Sequence, residues 1–204
     1  ANGLVLEAGL DDASIDFGSN ASTFRAIEAK ADNGLVVNST LTTTVGDLKL
    51  ESNLNDDIDD NAALSLLNAS KLVSAKNIVL DATTGGISSD SILDLEADDD
   101  ITINDTLNIL HAINLKADND DLGNGLIITS GAISSGGNDI LLQASDIEIS
   151  NSIDAGAGTI TLTPTDNASI GLGSGIGDVQ ITGEELGYLS AGELILGTST
   201  SGNI

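Results

Sequence analysis

The stretch that decides the fold reads Ile78-Val79-Leu80-Asp81-Ala82, then Leu93-Asp94-Leu95-Glu96-Ala97, then Ile101-Thr102-Ile103. Each piece alternates apolar and polar residues, the pattern of a short strand with one face buried. Gly85-Gly86 and Asp98-Asp99-Asp100 stand between them, and such residues form turns.

Outward from there the same signature recurs: apolar, any, Leu or Ile, any, small. It appears in Leu4-Val5-Leu6-Glu7-Ala8, Arg25-Ala26-Ile27-Glu28-Ala29 and Leu48-Lys49-Leu50-Glu51-Ser52, and loosely in Leu64-Ser65-Leu66. It returns in Ile113-Asn114-Leu115-Lys116-Ala117, Ile140-Leu141-Leu142-Gln143-Ala144 and Ile160-Thr161-Leu162-Thr163-Pro164. The centres, residues 6, 27, 50, 66, 80, 95, 115, 142 and 162, are scattered around a spacing of about 20. A second alternating strand falls between copies, as in Ile147-Glu148-Ile149 and Val179-Gln180-Ile181. Two or three short strands per period, joined by polar corners, make one coil of a parallel β-helix. Such coils stack at about 4.8 Å. The expectation is an all-β solenoid of about ten coils of ~20 residues spanning 1–204 as a single repeat segment. A hairpin-built sandwich is the runner-up, but two-residue hairpin turns are few. A longer-range echo aligns residues 4–19 with 160–174 through Ala13-Ser14-Ile15 and Ala168-Ser169-Ile170, a second-order repeat. One segment breaks the pattern: Thr182 is placed to cap a short helix near 183–191, with Glu184 and Glu185 in its first turn.

Composition agrees. Phe17, Phe24 and Tyr188 are the chain's whole aromatic content, and Trp, Cys and Met are absent. A core without aromatics suits identical narrow layers filled by Ile, Leu, Val and Ala. The formal net charge is −26, from 32 acidic and 6 basic side chains. Six cations cannot build the basic face that nucleic acid requires. No run reaches the ~18 apolar residues of a membrane helix, so neither nucleic acid nor membrane insertion is expected.

Catalytic candidates are scarce. His111 is the single histidine, and nothing nearby marks a nucleophile or an orienting acid. Acids are so abundant that a chance carboxylate pair carries no information. Calcium is the better chemical expectation, because hard cations take oxygen ligands from Asp and Asn in turns. Three clusters offer them: Asp57 and Asp59 within 55–61, Asp98 and Asp100, and Asp118, Asp120 and Asp121 before Gly123. The competing reading is that acidic corners keep the rod soluble and are screened by any cation. Thr-rich stretches at 40–44 and 159–163 do not recur at the repeat period, so strand propensity explains them better than ice binding.

Asp139-Ile140-Leu141-Leu142-Gln143-Ala144 with Ile147-Glu148-Ile149, and Asp154-Ala155-Gly156-Ala157-Gly158 leading into Ile160-Thr161-Leu162, resemble the repeats of filamentous-haemagglutinin-like giant bacterial exoproteins. So do Ile170-Gly171-Leu172-Gly173 and Ala191-Gly192-Glu193-Leu194-Ile195-Leu196-Gly197; the likeness is best over 77–204. The resemblance implies a right-handed parallel β-helix in an exported, surface-bound or shed fibre. The functional expectation is a non-catalytic structural repeat unit of an extracellular fibre, with copies joined end to end as a filament or tandem array. The alternative is an adhesin stalk that holds a surface glycan or receptor. No initiator Met or signal-peptide core is present, and strands lie close to both ends, so the expectation includes a longer chain or stacked subunits.

Overall fold

The computed structural model describes residues 3–54, 62–199 and 201–204. The period-two segments form strands, and three strands make each coil. The first coil is β1 (Leu4–Ala8), β2 (Ile15–Phe17) and β3 (Ser22–Phe24); the second is β4 (Ile27–Ala31), β5 (Leu35–Val37) and β6 (Leu41–Thr43). The third is β7 (Leu48–Glu51), β8 (Leu64–Leu66) and β9 (Lys71–Ser74); the fourth is β10 (Ile78–Asp81), β11 (Ile87–Ser89) and β12 (Leu93–Ala97). The fifth is β13 (Ile101–Ile103), β14 (Leu107–Asn108) and β15 (Ile113–Lys116); the sixth is β16 (Leu126–Thr129), β17 (Ile133–Ser134) and β18 (Ile140–Ala144). The seventh is β19 (Asp146–Ile149), β20 (Ile153–Asp154) and β21 (Thr159–Pro164). The chain ends with β22 (Ile170–Leu172), β23 (Val179–Ile181), α1 (Gly183–Gly187), β24 (Leu189–Ser190) and β25 (Glu193–Leu196).

Every third strand pairs in parallel, giving three faces. Face A is a seven-stranded ladder from β1 to β19, face B an eight-stranded ladder from β2 to β24, and face C an eight-stranded ladder from β3 to β25. The molecule is a parallel β-solenoid, as the sequence pattern predicts, and the structure makes it three-sided. The coil count differs: seven complete coils and a partial eighth stand where about ten were expected. The physical reason is unequal corner length. Ile127 stacks on Ile147, twenty residues on, whereas Leu48 stacks on Ile78, thirty residues on. At about 4.8 Å per coil the ladders rise about 35 Å.

Inward side chains form columns. On face C, Leu41, Leu72, Leu95, Leu115, Leu142 and Leu162 lie one above another, and all are buried. On face A the column is Ile27, Leu48, Ile78, Ile101, Ile127 and Ile147. Each such side chain contributes about 1.5–3 kcal/mol by leaving water. The aromatics take no part in these columns' interior. Phe17 and Phe24 sit in the first coil, edge to face with centroids 6.4 Å apart, and Tyr188 adjoins the eighth; all three pack on the ends of the core.

The echo between 4–19 and 160–174 falls on different faces, because Ile15 opens a face-B strand and Ile170 opens β22, which lies over face A. What the two segments share is the corner. Ala13 N–H donates to the Leu10 carbonyl at 2.8 Å, and Ala168 N–H to the Thr165 carbonyl at 3.0 Å. Left-handed residues, Asp12 in one and Asp166 and Asn167 in the other, make both turns, a conformation Asp and Asn tolerate best after Gly. The expected helix is α1, shorter than the 183–191 segment. Thr182 accepts from Glu185 N–H, the Glu185 carboxylate returns to Thr182 N–H, and Tyr188 ends it.

Candidate functional site

At each corner the strand ladder stops, so backbone N–H groups there need other acceptors. Asp and Asn supply them from the neighbouring coil. Between faces C and A, Asn77 Nδ2 donates to Asp47 Oδ1 at 2.9 Å, Asp100 N–H to Asn77 Oδ1 at 3.0 Å, and Leu126 N–H to Asp100 Oδ1 at 2.9 Å. Where face B turns to face C, Asn38 Nδ2 donates to Asp16 Oδ1 at 2.9 Å, Asn68 Nδ2 to Asn38 Oδ1 at 3.3 Å, and Asn68 N–H to Asp90 Oδ1 at 2.7 Å. The acidic corners are therefore staples from coil to coil.

Lys30, Lys71 and Lys116 work in the same way on the flat faces, and Lys76 at a corner, whereas Lys49 pairs with Asp47 of its own coil. All five lysines pair with acids. Glu96 bridges the coils on either side of it, taking Lys71 at 2.6 Å and Lys116 at 3.3 Å. Burial works to raise the Glu96 carboxyl, but the two lysines outweigh it and hold it below its ordinary range. Asp47 behaves alike: burial opposes ionisation, and hydrogen bonds from Lys49 and Asn77 outweigh it.

The structure places five of the expected calcium ligands, Asp98, Asp100, Asp118, Asp120 and Asp121, along one corner of two successive coils. Asp118 is fully buried and left-handed. Its Oδ1 accepts from Gly123 N–H at 2.8 Å and Asn124 N–H at 3.4 Å, while Oδ2 takes the Thr165 hydroxyl from two coils above. Gly125 is required here, because a Cβ would fall 2.1 Å from Asp118 N. Asp120 and Asp121 lie exposed on this loop. Asp98 lies half-buried beneath them, raised above its ordinary range by burial first and then by Asp120 and Asp99. Asp100 is tied to Leu126 N–H. Asp57 and Asp59 lie outside the described residues. Among the described residues, no three acidic or histidine side chains come together in a way that could hold a metal ion. His111 sits exposed on the corner between β14 and β15.

Two carboxylates that the sequence reading did not assign close a break in face A. β23 packs against β19 without joining its ladder. Asp146 Oδ1 takes Ile147 N–H at 3.0 Å and Gln180 N–H at 3.3 Å, and Glu185 Oε1 takes Ile149 N–H at 3.2 Å. Open hollows flank this seam. One of about 540 Å³ is bordered by Asn124, Asp146, Asp166, Asn167 and Asp178, and one of about 320 Å³ by Thr182, Glu184, Glu185 and Tyr188. No sequence signal marks the seam, because an Asp beginning a strand reads like every other corner acid.

In comparisons with known proteins, no family model, no curated protein and no solved structure matches the chain. Among the described residues no helix is long and apolar enough to cross a membrane. The chain is a parallel β-solenoid of the kind that β-helix repeat proteins use.

Proposed function

We propose that the chain is a non-catalytic structural segment of an extracellular or cell-surface fibre, of the filamentous-haemagglutinin-like exoprotein type. The observation that carries this reading is where the polar groups are used. Corner acids, corner amides and four of the five lysines bond coil to coil, while apolar side chains such as Leu4, Val5, Leu194, Ile195 and Ile204 are exposed at the two ends. A stack so cross-linked along its axis, with apolar ends, suits bearing load and joining further coils.

The test is single-molecule pulling of the chain between two marker domains. The expected record is stepwise peeling, one coil of 20 to 30 residues at a time, with force plateaus that weaken when Glu96→Gln and Asp100→Ala remove coil-to-coil bonds. Extension at negligible force would overturn the proposal. Saturable binding of one sugar on a glycan panel would move the adhesin reading to the front. A polar hollow of about 410 Å³ bordered by Thr84, Ser88, Thr106 and Asn108 is where such a glycan would be sought.

A further inference from the structure

An asparagine followed by glycine can react with itself, because no side chain shields the glycine nitrogen from the asparagine amide carbon. Three such pairs occur: Asn2-Gly3, Asn33-Gly34 and Asn124-Gly125. Asn2 lies outside the described residues. The fold treats the other two in opposite ways. Asn33 is buried at the corner between β4 and β5, and its Nδ2 donates to Asp12 Oδ1 at 3.1 Å. Gly34 N–H donates to the Ser52 carbonyl at 3.0 Å, so the nitrogen that would attack is tied to the next coil. Asn124 is exposed. Gly125 N–H meets no acceptor among the described residues. The hollow of about 540 Å³ borders Gly123, Asn124 and Leu126, so water reaches the chain on both sides of Gly125.

Both residues of this pair hold coils together in the middle of the rod. Asn124 Nδ2 donates to Asp99 Oδ1 of the coil below at 3.0 Å. The Gly125 carbonyl accepts from Ser145 of the coil above, from its N–H at 2.9 Å and its hydroxyl at 2.7 Å. Gly125 is also pressed against Asp118, since a Cβ there would fall 2.1 Å from Asp118 N. A change of charge or of chain length at Asn124 therefore acts on three successive coils.

We infer that Asn124 is a modification site, where attack of Gly125 N on the side-chain amide turns a coil-to-coil staple into a point of repulsion. Gly125 N bonds to Asn124 Cγ and gives up its proton through water. The Cγ–Nδ2 bond breaks, and the amide nitrogen leaves with that proton as ammonia. Water then opens the cyclic imide at either carbonyl. One opening gives aspartate; the other gives isoaspartate, with the main chain rerouted through the former side chain. Either product sets a carboxylate in place of the donor that Asp99 accepts, on a corner that already carries Asp98, Asp100, Asp120 and Asp121, and like charges there repel. Isoaspartate also lengthens the main chain just before Gly125, where the contact with Asp118 leaves no room. Water is the one co-reactant, so the reaction proceeds with the age of the rod.

The test holds the unmodified chain in mildly alkaline buffer and follows each asparagine over time by peptide mass spectrometry with fragmentation. In the folded chain Asn124 is expected to convert about tenfold faster than Asn33 or more, since Gly34 must first give up a backbone hydrogen bond. In concentrated urea, where both pairs are unfolded, the two rates are expected to agree within about threefold. Isoaspartate is expected beside aspartate at residue 124. Equal rates in the folded chain, or a difference that persists in urea, would overturn the assignment. Aspartate without isoaspartate would overturn it too, because water rather than Gly125 would then be the attacking group. The loss of the staple is read separately, by hydrogen exchange at the Ser145 amide. It is expected to speed up about two- to tenfold in the aged chain and in Asn124→Asp, as for one hydrogen bond lost. Exchange unchanged in both would overturn the repulsion. Neither readout depends on the fibre reading, which the pulling experiment judges.

Discussion

Thr129 offers the sharpest test of the interior. It belongs to a second inward column of face A, two residues along from the first, stacked over Ile103 and under Ile149, and it is fully buried. Its hydroxyl has no hydrogen-bond partner. Valine has the same shape with a methyl in place of the hydroxyl. A buried hydroxyl without a partner costs about 1–3 kcal/mol, and Thr129→Val removes that cost without opening a cavity. For a chain of this size the gain corresponds to a rise in Tm of about 2–12 °C. Stacked coils unfold less cooperatively than compact domains, so a local readout is better than the melt alone. The Ser150 amide donates to the Thr129 carbonyl at 3.0 Å. Its hydrogen exchange is expected to slow roughly five- to 150-fold in the variant. Unchanged or faster exchange at Ser150, with a Tm at or below the parent's, would refute the reasoning and show that the hydroxyl is satisfied.

Glu96→Gln removes two bridges whose lysines are about one-third exposed, so the expected loss is about 0.5–1 kcal/mol by urea denaturation, shrinking in high salt. The pH profile carries two opposite signs. Asp98 and Asp105 are raised, by burial first, so the folded chain holds their protons more tightly and stability climbs as the pH falls from neutrality toward about 4. Glu96 and Asp47 are lowered, so their contribution is present above about pH 4 and is lost below it. The Tm measured at constant ionic strength is therefore expected to peak in mild acid; a steady fall from pH 7 downward would contradict this. Calcium and magnesium at equal concentration are expected to raise the Tm equally, by screening, since Asp118 and Asp100 already spend oxygens on backbone N–H groups. A calcium-selective rise abolished by Asp120→Asn would point instead to a specific site.

The strand pattern was legible because burial on one side of a strand writes itself directly into alternation. The coil count was not, and the nine motif centres show why. Residues 6, 27, 50 and 80 lie on face A, 66 on face B, and 95, 115, 142 and 162 on face C. All three faces present the same narrow interior, so a motif from one face is indistinguishable in sequence from that of another. Spacings such as 50 to 66 or 80 to 95 are fractions of a coil rather than whole coils. The corner turn is shared in the same way. Leu10 to Ala13, Leu67 to Ser70 and Thr165 to Ala168 close the same bond at three different corners. The acids at 98–100 and at 118–121 stand out in the sequence as two separate clusters, but their role as acceptors for the adjacent coil needed the register. That register depends on loop lengths, such as the long third coil, which local pattern does not encode.

The placement of the aromatics gives the molecule its own end labels. A stack of coils held by nearest neighbours frays from its tips. With no Trp in the chain, Tyr188 is the single strong ultraviolet emitter, and it lies at the eighth coil; the two Phe rings lie at the first. Tyrosine fluorescence therefore reports melting of one tip, and phenylalanine ring resonances report the other. The direction in which the rod unravels can be read from the unmodified chain.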